Sequence, residues 1–266
     1  MISRFPALVI LLLSLIFMVS GCGSRKIQTY DPDKVYAKFR NEYGNCNSTG
    51  MKAKASLYYR SEERGHRTVI NLWGDLATPL RLDVRAGIGA YVAHIREDGN
   101  GLVAFYPEEK TAYSHSSPTR AVKLLGLPFP FALKDLAGLI AGCYPNLIPK
   151  SFDTMTSAAN GNNLLFIFDE GPISSVTLTS KGLPVELTGR GELPWRMEMS
   201  SYELDESGKE LPDKITVFTD NNGKAVLRIK FRSFTNTNWD EKSLKMVIPD
   251  GIPTIKLDRN INKNIS

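Results

Sequence analysis

The chain has 266 residues, of which 42% are hydrophobic, 23% charged and 9% aromatic; this supports one sizeable core or two small ones and excludes disorder as the main state. Its 33 Lys and Arg exceed 28 Asp and Glu, for a formal charge of +5, but the surplus never gathers into a block of like charges, so no nucleic-acid partner is expected. Three cysteines and three histidines are too few and too dispersed for a zinc site, and no metal or other cofactor is expected.

Arg4 precedes an apolar run from Phe5 to Val19, interrupted only by Pro6 and Ser14 and followed by Ser20, Gly21 and Cys22. The run is shorter than the roughly 20 residues that cross a bilayer as a helix, so residues 1–21 are read as an export signal. Val19-Ser20-Gly21-Cys22 resembles the lipobox of bacterial lipoproteins. That resemblance implies that Cys22 becomes the first mature residue and carries acyl chains. Two or more chains, at about 0.8 kcal/mol per buried methylene, anchor a protein stably. Residue 23 is Gly and not the Asp that resembles an inner-membrane retention signal, so the expected location is the periplasmic face of the outer membrane. Removing the first 21 residues, whose only charge is Arg4, leaves a formal charge of +4. Residues 22–32 then form a short acylated tether, and 33–235 the folded domain, with 236–266 as a C-terminal extension.

Asp31-Pro32-Asp33 followed by Val35, Tyr36, Phe39 and Tyr43 predicts a helix over 33–43. Export to an oxidising compartment lets Cys46 and Cys143, the pair left once Cys22 is acylated, join in a disulfide; two separate buried thiols are the alternative. Short segments rich in β-formers follow at 51–60, 68–73, 80–85, 91–96, 101–106 and 111–115, separated by turn signals such as Asp98-Gly99. Helical patterns at 119–125 and 132–141 flank Leu127-Pro128-Phe129-Pro130-Phe131, where proline forbids helix. Strands resume at 164–168, 176–179, 185–189, 196–202, 214–219 and 224–234.

Leu80, Leu82 and Val84 alternate with Arg81, Asp83 and Arg85, and Leu227, Ile229 and Phe231 with Arg228, Lys230 and Arg232, so one sheet face is wet. The expected fold is mainly β: an open antiparallel half-barrel of about eleven strands, lidded by about three helices around an apolar cavity. Trp73, Leu82, Val84, Phe166 and Phe168 are its candidate wall.

The histidines at 66, 94 and 115 lie in or beside expected strands with no nucleophile motif near them, and an enzyme is not expected. Gly87-Ile88-Gly89 is only a fragment of a dinucleotide fingerprint and leads into a strand, not a helix. It reads instead as a hairpin tip in which two glycines frame an apolar residue that could enter a bilayer interface, or could fold back into the core.

Leu72-Trp73, Pro79-Leu80-Arg81-Leu82, Gly87-Ile88-Gly89 and Leu124-Leu125-Gly126-Leu127-Pro128-Phe129-Pro130, in that order before a helix ending at Gly142, resemble the LolB-type outer-membrane receptors of the LolA/LolB superfamily of lipoprotein localisation factors. The arrangement stays similar to about residue 235. The resemblance implies an eleven-stranded half-barrel whose cavity takes up lipoprotein acyl chains from a LolA-like periplasmic carrier, and it maps a protruding, membrane-inserting loop residue onto Ile88. Gly87 stands where the family has proline, and the chain continues past the family's last strand. The alternatives are a binder of free lipid or another hydrophobic ligand, and a structural envelope lipoprotein whose cavity is vestigial and filled by large side chains.

Overall fold

Proline at the first helical position and Asp33 in the positively polarised first turn start helix α1 (Pro32–Tyr43), which buries Val35, Tyr36, Phe39 and Tyr43 on one face. The computed structural model describes residues 30–61, 64–87, 89–144, 147–158, 162–190, 194–219 and 223–258, and everything from Pro32 onward forms one unit. Cys22, the expected acylation site, and Ile88, the expected membrane-inserting residue, lie outside the described residues.

After α1 come β1 (Gly50–Ser61), β2 (Arg64–Asp75), β3 (Leu80–Ala86), β4 (Tyr91–Asp98), β5 (Gly101–Tyr106) and β6 (Thr111–His115). Helices α2 (Pro118–Leu124) and α3 (Leu133–Ala141) interrupt the strands. The second run is β7 (Thr154–Ser157), β8 (Asn163–Ile167), β9 (Ile173–Thr179), β10 (Pro184–Gly189), β11 (Trp195–Leu204), β12 (Glu210–Thr219) and β13 (Gly223–Thr235). A four-residue helix α4 (Glu241–Leu244) and β14 (Thr254–Lys256) end the described chain.

All fourteen strands join one sheet in the order β14-β6-β5-β4-β3-β2-β1-β13-β12-β11-β10-β9-β8-β7. β1–β6 and β7–β13 are each a meander of antiparallel neighbours, and the long pairing of β1 with β13 welds the two together. The sheet is not closed, because its outer strands β14 and β7 remain edges. The fold is thus the expected open, mainly β architecture, with four helices among the described residues.

Alternation sets which face is buried. Ala53, Leu72, Leu82, Ile95 and Ala104 are cross-strand neighbours on the inner face, and all are buried. One expected alternation breaks. A bulge between Lys54 and Ala55 shifts the register of β1 on β13, so Phe231 pairs with Lys54 on the outer face and is exposed, and Arg232 pairs with Ala53 and turns inward. The Arg232 guanidinium binds Asp213 and donates to the carbonyls of Pro212 (3.0 Å) and Ile140 (3.2 Å), joining sheet to helix.

The C-terminal extension is built into the same unit. Trp239 N donates to Asp75 Oδ1 (2.9 Å), Trp73 Nε1 to Ser243 O (3.1 Å) and Arg81 Nη1 to Lys245 O (2.6 Å), while Leu244 is buried. The tail then pairs β14 with β6, the only parallel pairing among the described strands, and Asp258 receives Ser116 Oγ (2.6 Å).

Candidate functional site: the inner face and its helical lid

The crossover from β6 to β7 carries α2 and α3 over the inner face. Each helix ends on a glycine in the left-handed region, where a side chain would be strained. Gly126 (φ 64°) follows α2, with Leu127 N bonded to Val122 O (3.1 Å). Gly142 (φ 63°) follows α3, with Cys143 N bonded to Gly138 O (2.8 Å). Between them Phe129, Phe131 and Ala132 are buried, and Phe131 meets Trp195 of β11 edge to face at 4.8 Å.

At its start α3 lacks a side-chain cap from its own N-cap residue, Ala132. The acceptor comes from the sheet: Glu97 Oε2 of β4 takes the N–H groups of Leu133 (2.6 Å) and Lys134 (3.4 Å). Glu97 is almost wholly buried, and that burial pushes its carboxyl up to about 6 despite the two N–H donors. The far end of α3 is tied to α1. Cys46 and Cys143 form a disulfide, Tyr144 N donates to Tyr43 O (2.6 Å), and the Tyr43 and Tyr144 rings stack at 5.6 Å. Half-buried Lys209 donates to Gly142 O (2.6 Å) over the Tyr43 ring, and desolvation lowers its pKa from the usual lysine value.

The candidate wall residues separate into three groups. Leu82 and Val84 lie on the inner face, Leu82 fully buried and Val84 half-buried. Phe166 and Phe168 are fully buried beneath α1, where Tyr36 contacts both rings at 5.2 and 6.0 Å and Phe152 closes the cluster. Trp73 is corrected: it pairs with Lys52 and Arg81 on the outer face, one residue out of phase with Leu72, and cannot line the inner one.

Among the described residues, the inner face carries closely buried side chains such as Ile70, Leu72, Leu82 and Ile95. Two hollows of about 350 Å³ flank the disulfide, one bordered by Leu76, Lys134 and Tyr144 and the other by Lys209 and Phe234; neither reaches Leu82, Val84, Phe166 or Phe168. At the opposite end of β3, Gly87 and Gly89 are exposed and form a tight turn in which Gly89 N bonds Ala86 O (2.8 Å).

Sequence reading missed Glu97, Phe131 and Trp195. A lone carboxylate in the apolar alternation Ala93, Ile95, Glu97 was the available signal for the first. His115, Ser116 and Asp258 do meet, but the Ser116 hydroxyl is spent on Asp258, while His115 Nδ1 takes the Ser117 N–H (2.8 Å). The group clasps the tail to β6.

No family model matches the chain, and no curated protein matches it in sequence. Solved structures do. A DUF1329 family protein from Desulfovibrio piger superposes with a TM-score of 0.56 at 9% identity, over 82% of this chain and 98% of that one. A domain from Vibrio parahaemolyticus named for outer-membrane lipoprotein sorting gives 0.54 at 11% identity, over 80% and 95%. A LolA superfamily protein from Nitrosomonas europaea gives 0.53 at 10% identity, over 80% and 97%. The chain therefore has the fold found in LolA-superfamily and lipoprotein-sorting proteins.

Proposed function

We propose that the protein takes up acyl chains of lipoproteins against the inner face of its sheet and helps insert them into the outer membrane, where acylated Cys22 holds it on the periplasmic side. The observation that carries this reading is the construction of the cover. An unclosed sheet with a largely apolar inner face is lidded by a crossover whose middle, Leu127–Ala132, has no strand pairing among the described residues. Swinging that segment out would bare the Phe131 seat against Trp195. Each acyl methylene placed there is favoured by about 0.8 kcal/mol over water. Transfer runs from a LolA-like carrier onto this face and on into the bilayer, down a gradient of affinity, without a cofactor. Ile88, which lies in sequence between exposed Gly87 and Gly89, is the residue that touches the membrane.

The burial of these inner-face side chains favours a second reading, an envelope lipoprotein whose cavity is vestigial. The test is transfer of a labelled triacylated lipoprotein from a periplasmic carrier to liposomes by a chain begun at Gly23, alongside Ile88→Glu. Transfer by the parent, with capture but poor release by Ile88→Glu, supports the receptor. Absence of capture by both discards it, and co-purified free lipid without lipoprotein capture points to a lipid binder.

A further inference from the structure

The outer face carries a second hollow, independent of the lid. It encloses about 510 Å³ and is walled by Lys52, Lys54, Trp73, Arg85 and Trp239, with Asn71, Val69 and the Gly87 and Gly89 backbone around them. The tail creates it. A side chain at Gly50 would come within 2.8 Å of the Trp239 indole, so the missing Cβ seats that ring against the sheet. Arg81 lies over the Trp73 ring at 5.3 Å and holds it on the opposite side.

The charges of this hollow are unbalanced. Lys52 and Lys54 stand two residues apart on one strand, hence on one face and about 7 Å apart. Their cross-strand neighbours are Trp73 and Ser233 for the first, Asn71 and Phe231 for the second, none of them acidic. Neither ammonium has an ion-pair or hydrogen-bond partner among the described residues. Arg85 stacks on Tyr91 and donates to its hydroxyl, again without a carboxylate. Asp83, the one acid of the wall, is already engaged by Arg81 (3.2 Å) and by His94 (2.8 Å). Two buried N–H groups of the same wall, Arg85 Nε and Trp239 Nε1, have no acceptor. Three cations without counter-charge and two donors without acceptors, set between two indoles, describe an incomplete site. Its missing component is an anion with several acceptor oxygens, attached to something that tolerates aromatic contact.

We infer that this hollow binds a phosphate group of the kind carried by acidic phospholipid headgroups. It lies on the face opposite the proposed acyl-chain surface, does not depend on that function, and opens beside the Gly87–Gly89 turn.

The test uses the full chain in neutral maltoside micelles, with indole fluorescence read during titration by three probes: dihexanoyl phosphatidylglycerol, dihexanoyl phosphatidylcholine and inorganic phosphate. The expected result is saturable binding of phosphatidylglycerol at least about tenfold tighter than phosphatidylcholine and weakened by added salt. Lys52→Gln with Lys54→Gln, both exposed and so compatible with an unchanged circular dichroism spectrum and Tm, is expected to raise the phosphatidylglycerol Kd at least about tenfold. Tighter binding of phosphatidylglycerol than of inorganic phosphate assigns a headgroup, and equal binding assigns free phosphate to the same site. Equal affinity for the two lipids, or a double variant that binds like the parent, overturns the inference. The first result attributes binding to the acyl chains, which the two lipids share, and the second places the headgroup contact away from Lys52 and Lys54.

Discussion

Glu97 offers the most decisive perturbation, because two opposing effects act on one carboxylate and their balance has a measurable sign. Burial penalises its charge, while the N-terminal N–H groups of α3 attract it. The structure gives burial the larger share, raising the carboxyl from 4.5 to about 6. A group whose folded pKa is raised binds its proton more tightly when folded. Its cost is absent below about pH 4.5, grows as pH rises, and is complete above about pH 6. That interval converts to about 2 kcal/mol. Glu97→Gln keeps an acceptor for Leu133 N–H and cannot ionise. Its stability relative to the parent, measured by urea unfolding from pH 4.5 to pH 7.5, is therefore expected to rise by about 2 kcal/mol, with m unchanged. Taking the difference between the two proteins cancels every other titrating group. A difference that falls with rising pH would refute the reasoning, by showing that attraction to the helix terminus outweighs desolvation.

Three further outcomes follow from the packing. Replacing Cys46 and Cys143 together by Ala frees a closed loop spanning 97 positions, which the chain-entropy relation values at about 4.7 kcal/mol; an unfolding free energy within 1 kcal/mol of the parent would contradict that account. Gly142→Ala and Gly126→Ala both force alanine into the left-handed region, at about 1 kcal/mol each, but only the first places a Cβ at 2.2 Å from buried Leu211. Gly142→Ala should therefore destabilise more than Gly126→Ala in parallel melts. Leu244→Ala removes a buried side chain of the tail and is expected to cost about 2–4 kcal/mol in global unfolding; a neutral result would show the tail to be dispensable.

The strands that the sequence announced are those with alternation and a hydrophobic face, and twelve of the fourteen lie where β-formers and turn residues put them. The two it hid are both edges. Thr154–Ser157 and Thr254–Lys256 are short and largely exposed, and what makes them strands is the ladder of a neighbour, not their own composition. Trp73 shows the limit of reading faces from hydrophobicity, since its phase on β2 sends it outward, under a tail whose packing no local pattern encodes. Phe231 fails for a related reason: one bulge reverses the phase of a strand end, and nothing in Leu227-Arg228-Ile229-Lys230-Phe231 marks it. Cys46 and Cys143 were legible because the export expected from residues 1–22 narrows the chemistry of the two remaining cysteines. Glu97 as a cap for a helix 36 residues away was not, because only the tertiary fold brings the two together.

The weld between β1 and β13 sets an order of events during biosynthesis. β1 can pair with β2 as soon as both have emerged, but its other edge waits for residues 223–235, more than half the chain later. At about 5–20 residues per second that delay is on the order of ten seconds or more. Through that interval the first meander presents a twelve-residue strand, Gly50–Ser61, with its backbone donors and acceptors free to pair with another nascent copy. Lys52 and Lys54, placed on the strand that is left open longest, put like charges where two such copies would meet. The same lysines that leave the finished outer face short of counter-charge thus act earlier as guards against intermolecular pairing of the unfinished sheet.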